Sequence, residues 1–365
     1  MPFCGNCGQK VSDSDCFCSN CGAYVGGTAG GETGDKRRHG SGGGNSSFID
    51  TLSGYLGHDK SVQLNWKDLF TNVFKRHTQE EAEDIFICGT SRTTPALGEV
   101  SDTWPKPWLY SRVLLCFVCT YVLLYCCASW FNNPLVIPGM MIIGAFAVPF
   151  ATMVLFMEVN AFRNISIYSI FVYFLVGGCA SLLVTLFFFD LGVLDTDIAT
   201  TWGAMMVGVI EELGKAVIVY VLLRRLPHVN YILPALLVGA CVGAGFAAFE
   251  SAGYAYMQNS FDSLTFNIYL RGFLAPGGHV AWAAITAGAM VIAKGSGPLT
   301  SSVFTNGRFL RIFIIPVVLH GLWDAPIFQG YLKLVALIVM VWIVVLILIN
   351  MGLEQVSRLK QTTTI

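Results

Sequence analysis

The chain has 365 residues, of which 54% are apolar and only 12% charged, and its formal net charge is −1. A mean hydropathy of +0.61 lies outside the soluble globular range, and the near-zero charge gives no footprint for nucleic acid. No secretory leader is expected, because the first apolar run long enough to cross a bilayer begins near Trp108.

The first 21 residues hold five of the 12 cysteines. Cys4-x-x-Cys7 and Cys18-x-x-Cys21 form two knuckles, a closed tetrahedral thiolate set that predicts structural zinc in a ribbon over residues 1–23. Cys16 falls outside that pattern. Metal-binding spacing rather than disulfide spacing favours a reducing compartment for this end, and the segment resembles the short ribbons at the N-termini of bacterial membrane proteins. Residues 24–47 are glycine-rich and read as a flexible linker. Residues 48–105 form a cytoplasmic juxtamembrane segment with short helices. Leu69, Phe70, Val73 and Phe74 stripe one face of a helix within 67–77, and Thr78 with Glu81 forms a capping box for a second helix running to about Phe86.

Residues 106–353 read as membrane, with a tail over 354–365. The pattern predicts an all-α polytopic membrane protein, a bundle of about eight transmembrane helices preceded by the small zinc ribbon. The spans fall near 108–130, 134–157, 165–189, 199–223, 232–256, 265–293, 309–327 and 332–351. Arg163, Arg224, Arg225, Lys294, Arg308, Arg311, Arg358 and Lys360 lie on one side of this arrangement. The positive-inside rule then puts both termini in the cytoplasm. Cys116, Cys119, Cys126 and Cys127 in the first span read as small apolar residues rather than as a second metal site.

Ionisable groups inside spans usually face a bundle interior or a water-filled cavity. The fourth span carries Glu211, Glu212 and Lys215, with the lysine one turn from both acids, so an ion pair within the helix offsets part of the burial cost. One acid remains in excess and calls for another partner. The fifth span ends a run of small residues at Glu250, and the sixth breaks at Pro276-Gly277-Gly278 before His279. The seventh places His320 and Asp324 on one face. Counted at about 1.5 Å per residue from the basic end of each span, or from Pro234 for Glu250, Glu211, Glu250, His279 and Asp324 lie roughly 20–24 Å deep and His320 is shallower, near roughly 14 Å. The groups share one slab of the membrane, so they can meet.

Glu211-Glu212-x-x-Lys215, Phe246-x-x-x-Glu250 and His320-x-x-x-Asp324, in this order on successive spans, resemble the PrsW intramembrane proteases, distant relatives of the CAAX prenyl endopeptidases. His279 resembles the additional histidine of that pattern, and the resemblance covers roughly 105–350. It implies a bacterial cell-membrane enzyme that makes the first cut in a single-pass membrane protein within the lipid bilayer. An anti-sigma factor in a stress-response cascade is such a substrate.

Peptide hydrolysis needs an activated water, an oxyanion stabiliser and a proton for the leaving amine. Glu211 or Glu212 is the candidate base, with Lys215 holding the other acid ionised. Two schemes stay open. In one, Glu250, His279 and His320 bind a catalytic zinc, and Asp324 orients an imidazole or replaces a ligand. In the other the enzyme is a metal-free glutamic hydrolase whose histidines hold the oxyanion. Acids, a lysine and histidines near the midplane also suit a proton-coupled transporter or a membrane receptor or scaffold. No convincing internal repeat favours the transporter.

Overall fold

A computed structural model describes residues 48–58, 62, 64–226, 230–327 and 330–363. The expected zinc ribbon with Cys4, Cys7, Cys18 and Cys21, and the linker over 24–47, lie outside the described residues. Among the described residues the chain is helical, with no strand.

The juxtamembrane segment holds α1 (Phe48–Tyr55), α2 (Asp68–Thr71) and α3 (Gln79–Phe86). The capping box is present at the start of α3. The Glu81 amide donates to Thr78 Oγ1 at 3.2 Å, and the Thr78 amide donates to Glu81 Oε2 at 3.1 Å. The Thr78 amide and the His77 ring together hold the Glu81 carboxyl below the usual carboxylate range. The helix expected across 67–77 shortens to the four residues of α2. Its continuation is drawn aside by His77, whose ring bonds the Asn72 carbonyl at 3.0 Å and stacks on Trp108 at 3.7 Å.

The membrane region follows as α4 (Leu109–Phe131), α5 (Ile137–Val159), α6 (Ile167–Val172), α7 (Gly178–Asp190) and α8 (Thr201–Arg224). It continues through α9 (Ile232–Tyr256), α10 (Phe261–Leu274), α11 (His279–Lys294), α12 (Gly307–Asp324) and α13 (Tyr331–Thr363). A π turn over Tyr173–Gly177 joins α6 to α7 in one span. Among the described residues, five spans are long and apolar enough to cross a membrane: Leu109–Phe131, Pro134–Val159, Ile167–Asp190, Ile232–Tyr256 and Tyr331–Thr362. The other three expected positions fall on α8, on the broken pair α10 and α11, and on the short helix α12. Each departs from a plain apolar span because polar chemistry or a backbone break interrupts it.

Burial explains the layout. α9 lies at the centre, buried from Ile232 to Ala248, and packs against α5, α8 and α11. Small residues permit this. A Cβ at Gly243 would strike the carbonyl of His279, so α9 and α11 touch backbone to backbone. A Cβ at Gly208 would strike Val317 and Gly321, which brings α8 equally close to α12.

Two polar ties hold the periphery. Glu158, at the end of α5, accepts the amides of Trp108, Leu109 and Tyr110 at 2.8, 2.9 and 2.9 Å. Those amides open α4 and have no partner within the helix, and an anion there also meets the positive end of the helix dipole. At the far end of α13, Ser357 donates to Asp102 at 2.6 Å and His58 pairs with Glu354 at 3.0 Å. The Ser357 hydroxyl keeps the Asp102 carboxyl below its ordinary value. Glu158→Gln turns an amide donor toward these helix amides and is expected to lower stability by about 1–2 kcal/mol. Thermal unfolding in detergent reads the change, and an unaltered transition contradicts this role for Glu158.

Candidate active site

Thr200 starts α8, its hydroxyl accepting the Gly203 amide at 2.9 Å. Almost three turns later the helix presents Glu211, Glu212 and Lys215 to the interior. Lys215 is fully buried. Its Nζ lies 2.7 Å from Glu212 Oε1 and 3.6 Å from Glu211 Oε2, the intrahelical pairing the spacing predicts. It also donates to His279 Nδ1 at 2.7 Å and sits 4.2 Å above the Phe246 ring. An ammonium in an apolar bundle needs such a set of acceptors.

His279 opens α11 just after the 3₁₀ turn Ala275–Gly277, so the expected break in the sixth span is what sets this side chain at the head of a helix. Its Nε2 lies 3.0 Å from Glu250 Oε2. An ionised carboxylate only accepts, so Nε2 carries the proton and Nδ1 is left with its lone pair. His320 repeats the arrangement with its nitrogens exchanged. Its Nδ1 donates to Glu212 Oε1 at 2.8 Å, which turns Nε2 toward Glu211 Oε2 at 3.6 Å and Asp324 Oδ2 at 3.4 Å. Trp282 stacks on the His320 ring at 4.4 Å and fixes its plane.

The two histidines thus bring their second ring nitrogens near the same carboxylate, His279 Nδ1 at 3.9 Å and His320 Nε2 at 3.6 Å from Glu211 Oε2, with the His279 nitrogen accepting from Lys215. Glu211, His279 and His320 each offer one ligating atom, all within 4.8 Å of one another. Glu211 Oε2 and Glu212 Oε2 are both buried without a hydrogen bond; the one on Glu211 has the Lys215 ammonium at 3.6 Å and stands beside both imidazoles, where a cation would complete its partners. Counted with every carboxylate ionised and both histidines neutral, Glu211, Glu212, Glu250 and Asp324 against Lys215 and Arg271 leave a formal charge of −2, which a divalent ion would match. The donor set therefore fits a metal.

The structure sorts the expected site residues by access. Glu211, Glu250, Arg271, His279, His320 and Asp324 line a cavity of about 400 Å³. Glu212 and Lys215 stand behind it, joined to its lining through His279, His320 and, for Lys215, Glu211. Glu250, read from the sequence as a ligand, lies on the far side of His279 and pairs with Arg271. Arg271 has no place in the motif series. Its signal was an arginine in the middle of a predicted span, where a bare guanidinium demands an acidic partner.

Residues 166–349, just over half of the chain, match the family described as PrsW family intramembrane metalloprotease. The chain belongs to this family and is an intramembrane protease, and every residue of the cavity cluster named above falls inside the matched region. No curated protein and no solved structure matches it.

Gly243 tests the scaffold. Gly243→Ala forces α9 away from the carbonyl of His279 and displaces the imidazole. Cleavage is expected to fall by about 10²-fold in a protein that still inserts, as read by cleavage of a co-expressed membrane substrate. Wild-type cleavage contradicts the claim that this helix contact sets His279.

Proposed function

We propose that the enzyme cuts a single-pass membrane protein, such as an anti-sigma factor, with a metal held by Glu211, His279 and His320. The observation that carries this reading is the pair of imidazoles, each held by a carboxylate at one nitrogen and turned toward Glu211 at the other. Carboxylate–histidine pairs of this kind orient metal ligands and raise their basicity. Zinc suits one carboxylate with two imidazoles, and when bound it supplies a Lewis acid for the peptide carbonyl.

The protein's own groups divide the remaining work. Glu250 and Glu212 each hold a proton on one imidazole nitrogen, which keeps the other nitrogen a donor. Lys215 neutralises Glu212 and anchors α8 against His279. Asp324 stands at the cavity wall with Oδ2 3.4 Å from His320 Nε2. It accepts the proton of the attacking water and returns it to the leaving amine. In this assignment Glu211 replaces Glu250 as the third ligand, and Asp324 takes the base role first given to Glu211 or Glu212.

A second reading has its own support. Lys215 Nζ occupies the lone pair of His279 Nδ1, as expected where the lysine supplies the cation and Glu211 is the base of a metal-free glutamic protease. The wider setting follows the charge pattern and the family. Both termini face the cytoplasm of a bacterial cell, residues 106–353 form the protease domain, and the four N-terminal cysteines hold a structural zinc that takes no part in the chemistry.

The test uses the full-length chain with Cys4, Cys7, Cys18 and Cys21 changed to serine. Glu211→Gln is expected to lose retained metal and to lower cleavage of a co-expressed single-pass substrate by at least about 10²-fold. Asp324→Asn is expected to lose cleavage to a similar degree and keep the metal. Cleavage that survives exhaustive chelation favours the metal-free reading, and normal cleavage by Glu211→Gln contradicts both.

A further inference from the structure

Among the described residues, Arg271 is the one permanent cation on the cavity wall, and the proposed chemistry leaves it without work. It lies on α10, the half of the sixth span that precedes the break, and it reaches across to α9. Nη2 donates to Glu250 Oε2, Nε donates to Ser251 Oγ at 2.9 Å, and the guanidinium carbon lies 4.3 Å over the Tyr254 ring. The oxygen that takes Nη2 is the one that lies 3.0 Å from His279 Nε2. One carboxylate oxygen therefore joins α9, α10 and α11 at a single point.

We propose that Arg271 is a positioning residue that reserves Glu250 for His279 and so decides which carboxylate is left to the metal. The inference rests on the metal reading above. Glu250 and Glu211 are the same side chain, both line the cavity, and each has an oxygen within 4 Å of His279. What separates them is the partner. Glu250 is claimed by a planar guanidinium that is itself fixed by a serine and an aromatic face. Without that clamp the Glu250 carboxylate is free to turn into the cavity, the proton on His279 Nε2 loses its fixed acceptor, and Nδ1 is no longer held as the donor nitrogen. Ser251 and Tyr254 stand one residue and one turn from Glu250 on the same helix. α9 thus carries both the carboxylate and the cradle for the arginine that restrains it.

Double substitution separates this role from a structural or substrate-binding one. In the full-length chain with the four N-terminal cysteines changed to serine, zinc affinity is measured by chelator competition, and kcat and KM by cleavage of a single-pass substrate. Arg271→Met is expected to weaken zinc binding by about 10–100-fold and to lower kcat in parallel, with KM held within about twofold. Glu250→Gln is expected to do the same. The double variant is expected to be no worse than either single one, because both break one link. Arg271→Lys, which keeps the charge and loses the fork, is expected to recover part of both losses and guards against simple misfolding. Effects that multiply in the double variant overturn the proposal, as does a rise in KM with kcat and zinc affinity unchanged. A parent chain that binds no zinc refutes the metal reading itself, whereas a parent that binds zinc as tightly as Arg271→Met refutes only the role of Arg271.

Discussion

Burying charge in a bilayer is tolerable only where each charge is met, and the interior of this protein is organised around that requirement. Lys215 is fully enclosed, and its acceptors come from α8 itself and from α11. Glu212 is equally enclosed and is shared between Lys215 and His320 of α12. Glu250 on α9 is shared between Arg271 of α10 and His279 of α11. Five helices are thereby tied at one depth by groups that no lipid can satisfy. Removing one member of such a buried network costs more than its own contact, because its partner is left charged and alone. The same network leaves two buried carboxylate oxygens without a hydrogen bond, Glu211 Oε2 and Glu212 Oε2, and the one on Glu211 lies 3.9 Å from His279 Nδ1 and 3.6 Å from His320 Nε2.

Much of this was legible in the sequence. The i+3 and i+4 spacing of Lys215 from the two glutamates dictates their pairing, since side chains point along one face of a helix. Pro276-Gly277-Gly278 announces the break that sets His279 at the head of α11. The capping box at Thr78 and Glu81 is local chemistry and is found as written. The sequence left open which carboxylate belongs to which histidine. That choice depends on how α8, α9 and α11 rotate about one another, and close approach at Gly208 and Gly243 settles it through backbone contacts that no spacing within one helix encodes. Arg271 escaped the motif series for a related reason, because its partner Glu250 lies on a different helix, 21 residues away. Glu158 likewise reads as an unremarkable acid near a span end until the start of α4 is folded against it.

The juxtamembrane segment adds a second level of organisation. It touches the bundle at both ends of the spans, where His77 stacks on Trp108 and the Leu69 carbonyl accepts from Tyr110 at the start of α4, and where Asp102 and His58 meet Ser357 and Glu354 on the distal part of α13. α13 exceeds the length needed to cross a bilayer, and its surplus turns are the part that carries Glu354 and Ser357. A disturbance at residues 48–105 is thereby linked by direct contacts to α13, whose first turn also returns to the site, where Lys333 donates to the carbonyls of Trp323 and Ala325 beside Asp324.

The central claim is that Glu211, His279 and His320 make an intramembrane metal site. X-ray absorption at the zinc edge tests it most directly, on the full-length chain whose Cys4, Cys7, Cys18 and Cys21 are changed to serine. The account predicts one zinc per chain in a shell of nitrogen and oxygen at about 2.0–2.1 Å, with imidazole scattering and no sulfur. A protein of this composition that cleaves its substrate and yields no zinc signal contradicts it.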